Sequence, residues 1–182
     1  MSEVARLTLV SHAMTDAMSA GRFPADEPLN DLGRRQLEGV DLGPFDLARC
    51  GPEERTLQTA ELLGLTVETD VRLGDLDCGT WSGLGLDGIA PDQLAAWMTD
   101  PAGAPHGGES IVGLLGRVRG WLESVADLGG RVIAVTHPAV VRAVILLALQ
   151  APPKSFWRID VAPVSRTVLH HRGGVWTLRS TG

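Results

Sequence analysis

The sequence lacks most of the features that mark a protein's business at first sight. It has only two cysteines in 182 residues, Cys50 and Cys78, far apart and without a CxxC spacing. That excludes a disulfide framework or a thiolate metal site, and predicts two reduced thiols in a cytoplasmic protein. Positive charge is not in surplus: the formal net charge is -6, which argues against nucleic acid or an anionic membrane as the partner. No apolar run is long enough to span a bilayer, since the longest, at 140–149, is interrupted by Arg142. The opening residues, MSEVARLTLV, lack the basic start and longer apolar stretch of a secretory signal. There is no internal period of the kind repeat arrays show. Neither histidines nor carboxylates fall at zinc or calcium spacing, so no metal and no cofactor is expected. The spacing of Gly79, Gly83 and Gly85 matches neither a dinucleotide nor a P-loop fingerprint.

What is present is an ordinary globular composition, 44% hydrophobic and 21% charged, over a length that predicts one domain across 1–182. Strands and helices alternate. Apolar runs predict strands over 6–10, 45–50, 66–71 and 131–135. Helices are predicted over 31–40, capped by Asn30 or Asp31, and over 53–63, between Pro52 and Gly64. Residues 109–126 carry apolar side chains near a 3.6 period, from Ile111 to Val125, and Gly129-Gly130 ends that helix. Residues 138–149 form a mostly apolar helix with Pro138 in its first turn. Strands are predicted over 158–161, 166–171 and 175–179, the last two joined by a Gly173-Gly174 hairpin turn. The stretch 74–108, rich in Gly, Pro and Asp with a short helix at 91–98, reads as an excursion over the site. Such alternation implies a mostly parallel sheet with helices on both faces and an antiparallel edge.

Two segments share one pattern: LTLVSHAMT at 7–15 and VIAVTHPAV at 132–140. Each is an apolar strand that runs into a hydroxyl residue, Ser11 or Thr136, and then a histidine, His12 or His137. Ligands bind outside the carboxyl ends of strands in open α/β sheets, so the two histidines are candidates for one pocket. A neutral imidazole can attack phosphorus, and a protonated one can steady the charge that develops. Arg55, early in a helix after a strand, reads by itself as a solvated helix arginine, but it also offers a planar fork that matches two phosphate oxygens. Asp75 could protonate a leaving alkoxide if burial raises its pKa, or could, with Asp77, be a loop aspartate that only makes turn hydrogen bonds. His106, in the GAPHGG loop, is expected to be solvated, and His170-His171 to be a surface pair whose side chains point to opposite faces.

These blocks together resemble the histidine phosphatase superfamily, in its phosphoglycerate-mutase-like branch, over nearly the whole chain. LTLVSHAMT resembles LxLVRHGET, and residues 21–36 resemble the GRFQG…PLTxxGxxQA block. ERTLQTAELLG is similar to RAxQTA, LGDLDCGTWSG to LxExxxGxWEG, HGGES to GGES, and VIAVTHPAVVRAV to VxxVSHGGVIRA. The resemblance implies a three-layer α/β/α sandwich and hydrolysis of a small phosphorylated substrate. It implies His12 as the nucleophile that becomes phosphohistidine. Arg55 and His137 would bind the transferring group and Asp75 would serve as proton donor and then base. Ser11, Arg22, Thr136 and Pro138 would lie on the substrate side. Fixed donors would do what a metal does elsewhere.

The departures gather in the pocket. Ser11 stands where the family has an arginine on the phosphoryl group, Ala13 where it has glycine, Met18 where many members have asparagine, Pro138 after the second histidine, and Asp75 for a glutamate. Truncating one buried charged contact costs about 2–5 kcal/mol, or about 30- to several-thousand-fold in rate. Arg22, Arg34 and Arg142 are the candidates to compensate. Three readings follow: a phosphomonoesterase; a weak or inactive relative that binds an anionic ligand or a partner protein; and a mutase, which the short chain disfavours. Oligomeric state is not legible, and a homodimer stays open.

Overall fold

The computed structural model describes residues 4–182. Six strands form one sheet, β1 (Ala5–Ser11), β2 (Leu47–Cys50), β3 (Glu68–Thr69), β4 (Gly130–Thr136), β5 (Arg166–Arg172) and β6 (Val175–Thr181), in the order β3-β2-β4-β1-β5-β6. The first four run parallel, and β5 and β6 add an antiparallel edge. Gly173 and Gly174, both at positive φ, make the β5–β6 turn. The helices are α1 (Asp16–Ser19), α2 (Asp31–Gln36), α3 (Glu54–Leu62), α4 (Pro91–Thr99), α5 (Ile111–Leu128) and α6 (Pro138–Leu149).

The period of two along each strand decides where the layers lie. Leu7, Leu9, Val132 and Ala134 point into one core, where Leu114, Val118, Trp121 and Leu122 of α5 and Val140, Val141 and Val144 of α6 pack. Val10, Ile133 and Val135 point the other way, into a smaller core with Ala60 of α3. The result is the phosphoglycerate-mutase-like α/β/α arrangement. Each such side chain contributes about 1.5–3 kcal/mol on burial, so a charge at Val118, wholly buried at the centre of α5, would be among the most damaging substitutions.

The structure departs from the sequence-based expectations at several places. No strand forms at 158–161: residues 153–158 are a 3-10 turn after Pro152 and Pro153, and the chain then runs on unpaired. The Ile159 carbonyl, which a ladder would use, instead accepts from Arg142 Nε at 2.7 Å. α2 stops at Gln36, short of 40, and the strands predicted at 45–50 and 66–71 shrink to β2 and the two residues of β3. His106 is not solvated. It is 1% exposed, held between Trp81 and Trp97 with ring centroids 5.1 and 4.5 Å away. Its Nδ1 accepts from the Gly108 amide at 2.9 Å. His170 and His171 are half-buried on β5, His171 beside Trp176.

Candidate active site

β1 and β4 are adjacent and in register, Ser11 opposite Thr136. The residues that follow them are therefore side by side. The His12 amide donates to the Thr136 carbonyl at 2.9 Å, and the two imidazoles meet edge to face with centroids 5.2 Å apart. His12 Nδ1 lies 2.8 Å from the Ala13 carbonyl, which accepts only and so fixes the proton on Nδ1. That leaves the Nε2 lone pair free at the cavity His12 lines. Burial, and then the neighbouring His137, lower the His12 pKa to about 3. The ring is a free base across the whole physiological range.

His137 caps α6, whose first turn begins with Pro138 and receives no side-chain cap. Its opening amides are available to an anion. The His137 ring is wholly buried. Nε2 donates to Glu53 at 2.7 Å; Nδ1 has no hydrogen-bond partner and lies 3.4 Å from an Asp75 oxygen.

Arg55 sits in the first turn of α3 and is 2% exposed. One terminal nitrogen donates to the Ala25 carbonyl at 2.8 Å, the other to Asp75 at 2.7 Å, and Nε is buried without a partner. The second Asp75 oxygen accepts from the Leu76 amide. Burial pushes the Asp75 carboxyl up, as expected of an acid, but the His137, Arg55 and His12 neighbours outweigh it and hold it below the usual carboxylate range. The expectation that burial raises this pKa is thus reversed here: Asp75 is ionised where Arg55 holds it.

Two functional residues escape sequence reasoning. Glu53 bridges the site, one oxygen accepting from His137 and the other from the Asp75 amide at 2.8 Å. Burial pushes Glu53 up, and the hydrogen bond and charge of His137 together with the Asp75 amide more than reverse that. In the sequence it is one of two adjacent glutamates at a helix start, and nothing separates it from Glu54. Arg117 of α5 donates to the carbonyls of Arg72, Gly74 and Asp75 while paired with Glu109 at 2.7 Å. It pins the backbone that carries Asp75. An arginine on the polar stripe of an amphipathic helix reads as solvated, and no local signal says otherwise.

Asp75, Arg55 and His12 line a cavity of about 180 Å³, along with Met18, Arg22, Pro138 and Arg142. Ser11 is wholly buried, with its hydroxyl unpartnered, and Thr136 donates its hydroxyl to the Leu73 carbonyl at 2.7 Å; neither lines the cavity. Arg34 is elsewhere, within 3.4 Å of Gln58. Cys78 lines the cavity, but burial pushes its thiol to about 12 and that of Cys50 to about 11. Neither is a nucleophile near neutral pH. Among the described residues no cluster of His, Cys, Asp or Glu could hold a metal ion, and no helix is long and apolar enough to cross a membrane.

The family model for the histidine phosphatase superfamily, branch 1, matches residues 7–182. The chain belongs to this superfamily. Among its superfamily relatives, phosphoserine phosphatase 1 of Hydrogenobacter thermophilus is 28% identical, over 91% of this chain and 86% of its own. Glucosyl-3-phosphoglycerate phosphatase of Mycobacterium tuberculosis is 31% identical, over 81% of this chain and 76% of its own. A solved mycobacterial glucosyl-3-phosphoglycerate phosphatase complexed with VO3 superposes with a TM-score of 0.84 at 28% identity, covering 96% of this chain and 97% of that one. A phosphoserine phosphatase from Entamoeba histolytica gives a TM-score of 0.88 at 21% identity, over 97% of this chain and 96% of that one, a likeness of fold.

Proposed function

We propose that this chain hydrolyses the phosphomonoester of a small metabolite through a phosphohistidine at His12. The observation that carries the reading is the His12 tautomer: a buried free base with Nδ1 tied to the Ala13 carbonyl and Nε2 free beside Arg55 and Asp75. Nε2 attacks phosphorus as the P–O bond to the alcohol breaks, and Asp75, which takes up a proton from solvent once the substrate displaces it from Arg55, delivers that proton to the departing oxygen. Water then attacks the phosphohistidine, giving its proton to Asp75 as the P–N bond breaks, and orthophosphate leaves.

Arg55 and His137 hold the transferring group, with the α6 amides behind it. Arg142 supplies the guanidinium missing at position 11. It is half-buried, lines the cavity, forms no ion pair among the described residues and commits only Nε, to Ile159. Arg22 and Pro138, on the cavity wall, complete the substrate side; Ser11 and Thr136 lie behind it, buried and off the cavity, Thr136 holding the Leu73 carbonyl. Every group in this reaction comes from one chain, so the proposal needs neither a homodimer nor nucleic acid. Two buried unpaired cysteines support the cytoplasm as its compartment.

The activities of the phosphatase relatives favour turnover over a purely ligand-binding protein. The experiment is phosphate release from a panel of phosphomonoesters at mildly acid to neutral pH, with acid-quench trapping of the phosphoenzyme. Wild type should turn over and His12→Ala should not. Equal turnover by His12→Ala overturns the reading.

A further inference from the structure

The wall of the cavity beyond the reacting groups is apolar. Met18, Phe23, Leu76, Trp97, Phe156 and Trp157 line it. The aromatic members brace one another, Trp97 against Trp157 at 5.7 Å between centroids and Trp157 against Phe156 at 5.0 Å. The polar side chains beside this wall are few: Glu27, Arg142 and the exposed Arg22. Glu27 accepts from Thr15 and from the Ala25 amide, and the Arg142 guanidinium lies 5.6 Å from the Phe156 ring centroid and 6.0 Å from that of Trp157.

With Arg142 on the phosphoryl group, a polyhydroxy or zwitterionic leaving group seated on this wall would lose water over most of its surface with only Arg22 and Glu27 to replace it, which is costly. A flat or branched hydrocarbon would gain contact with rigid aromatic faces. Size limits the group: the cavity is about 180 Å³ with the phosphoryl end included, and an engineered apolar cavity of about 150 Å³ accepts benzene, so one ring or a compact alkyl group is the most that enters. We infer that the preferred substrate is the phosphate of an apolar alcohol carrying one ring or a compact alkyl group, its hydrocarbon seated on the Trp97–Trp157–Phe156 wall and its ester oxygen toward Asp75. This rests on the phosphatase reading above and deepens it.

The experiment compares phosphates of primary alcohols, so that leaving-group acidity is nearly matched: benzyl phosphate against phosphoserine, 3-phosphoglycerate and glycerol phosphate. The expected result is a kcat/KM for benzyl phosphate at least about tenfold above each polar ester. Trp157→Ala, half-buried and so removable without opening the core, should collapse that ratio toward one. A polar ester at parity or better overturns the inference while leaving the phosphatase reading intact. If no ester releases phosphate, the phosphatase reading fails, and the pocket is then read by tryptophan-fluorescence titration with benzylphosphonate and with the phosphonate analogue of phosphoserine. Tighter binding of benzylphosphonate supports the apolar pocket; equal or weaker binding overturns it.

Discussion

Replacing His12 by asparagine should flatten the acid side of the protein's stability curve. The asparagine amide can still donate to the Ala13 carbonyl, but it cannot titrate. In the folded chain the imidazole takes up a proton only near pH 3, against 6.5 for an unperturbed histidine. Between those values the unfolded chain binds a proton that the folded chain refuses, so stability falls as pH falls. At 1.36 kcal/mol per unit, going from pH 6.5 to about 4.5 removes roughly 2–3 kcal/mol from the wild type through this group alone. His106 and His170, also lowered by burial, tilt the curve the same way and are common to both proteins. Glu53 and Asp75, held below 4.5 and 3.8, act at lower pH, where their protonation removes the stability they lend. Urea unfolding at about pH 6.5 and 4.5, with the m-value checked for constancy, reads the difference directly. Wild type should lose roughly 2–3 kcal/mol more over this interval than His12→Asn. Parallel losses would mean that His12 titrates alike in the folded and unfolded chains, which refutes the buried free base.

Glu53→Gln exchanges a charge-assisted hydrogen bond of about 1.5–3 kcal/mol for a neutral one, and should lower kcat/KM by about tenfold or more. The exposed neighbour Glu54→Gln should stay within about twofold. Gly51→Ala places a methyl 3.0 Å from the Glu53 carboxylate, 3.1 Å from His137 Nε2 and 2.9 Å from the Leu73 carbonyl; steady-state kinetics should show activity lost while circular dichroism stays native. Arg117→Met strips three carbonyls and Glu109 of their donor, and at about 2 kcal/mol should lower Tm by about 4–8 °C along with kcat. Arg142→Ala should weaken inhibition by vanadate at least about tenfold, measured against a fixed substrate; unchanged inhibition would remove Arg142 from the phosphoryl site.

The sheet and both histidines were legible because they rest on local signals. Apolar runs of strand length, each closing on a hydroxyl and a histidine, are enough to set β1 and β4 and the edge they share. The antiparallel hairpin was legible from Gly173-Gly174. The strand predicted at 158–161 was not decided locally: Phe156 and Trp157 go to the cavity wall and Arg142 takes the Ile159 carbonyl, so tertiary packing overrides a β-favouring stretch. His106 was misread for the same reason, since its indole neighbours are 9 and 25 residues away in the chain. Within the site, the sequence names the groups proposed to carry the chemistry but not those that hold them. Glu53 and Arg117 act through contacts that span 84 residues to His137 and 42 to Asp75. No spacing rule reaches across such distances.

The arrangement of Asp75 also bears on how a site without an arginine at position 11 could work. Asp75 rests on Arg55 at 2.7 Å and within 3.4 Å of His137 Nδ1, while Arg55 Nε and His137 Nδ1 stand buried and unpartnered. In the proposed reaction a phosphoryl dianion must claim the Arg55 guanidinium, and it does so by displacing the carboxylate. Once displaced, Asp75 loses the Arg55 contact that holds its proton affinity down, and acquires a dianion as neighbour. Burial and like charge then act together to favour the protonated carboxyl. The contact that keeps Asp75 ionised before binding is the one that substrate removes. Asp75 therefore becomes an acid when there is a leaving group to protonate, and Glu53 and Arg117, which hold its backbone but not its carboxylate, keep it in reach while it moves.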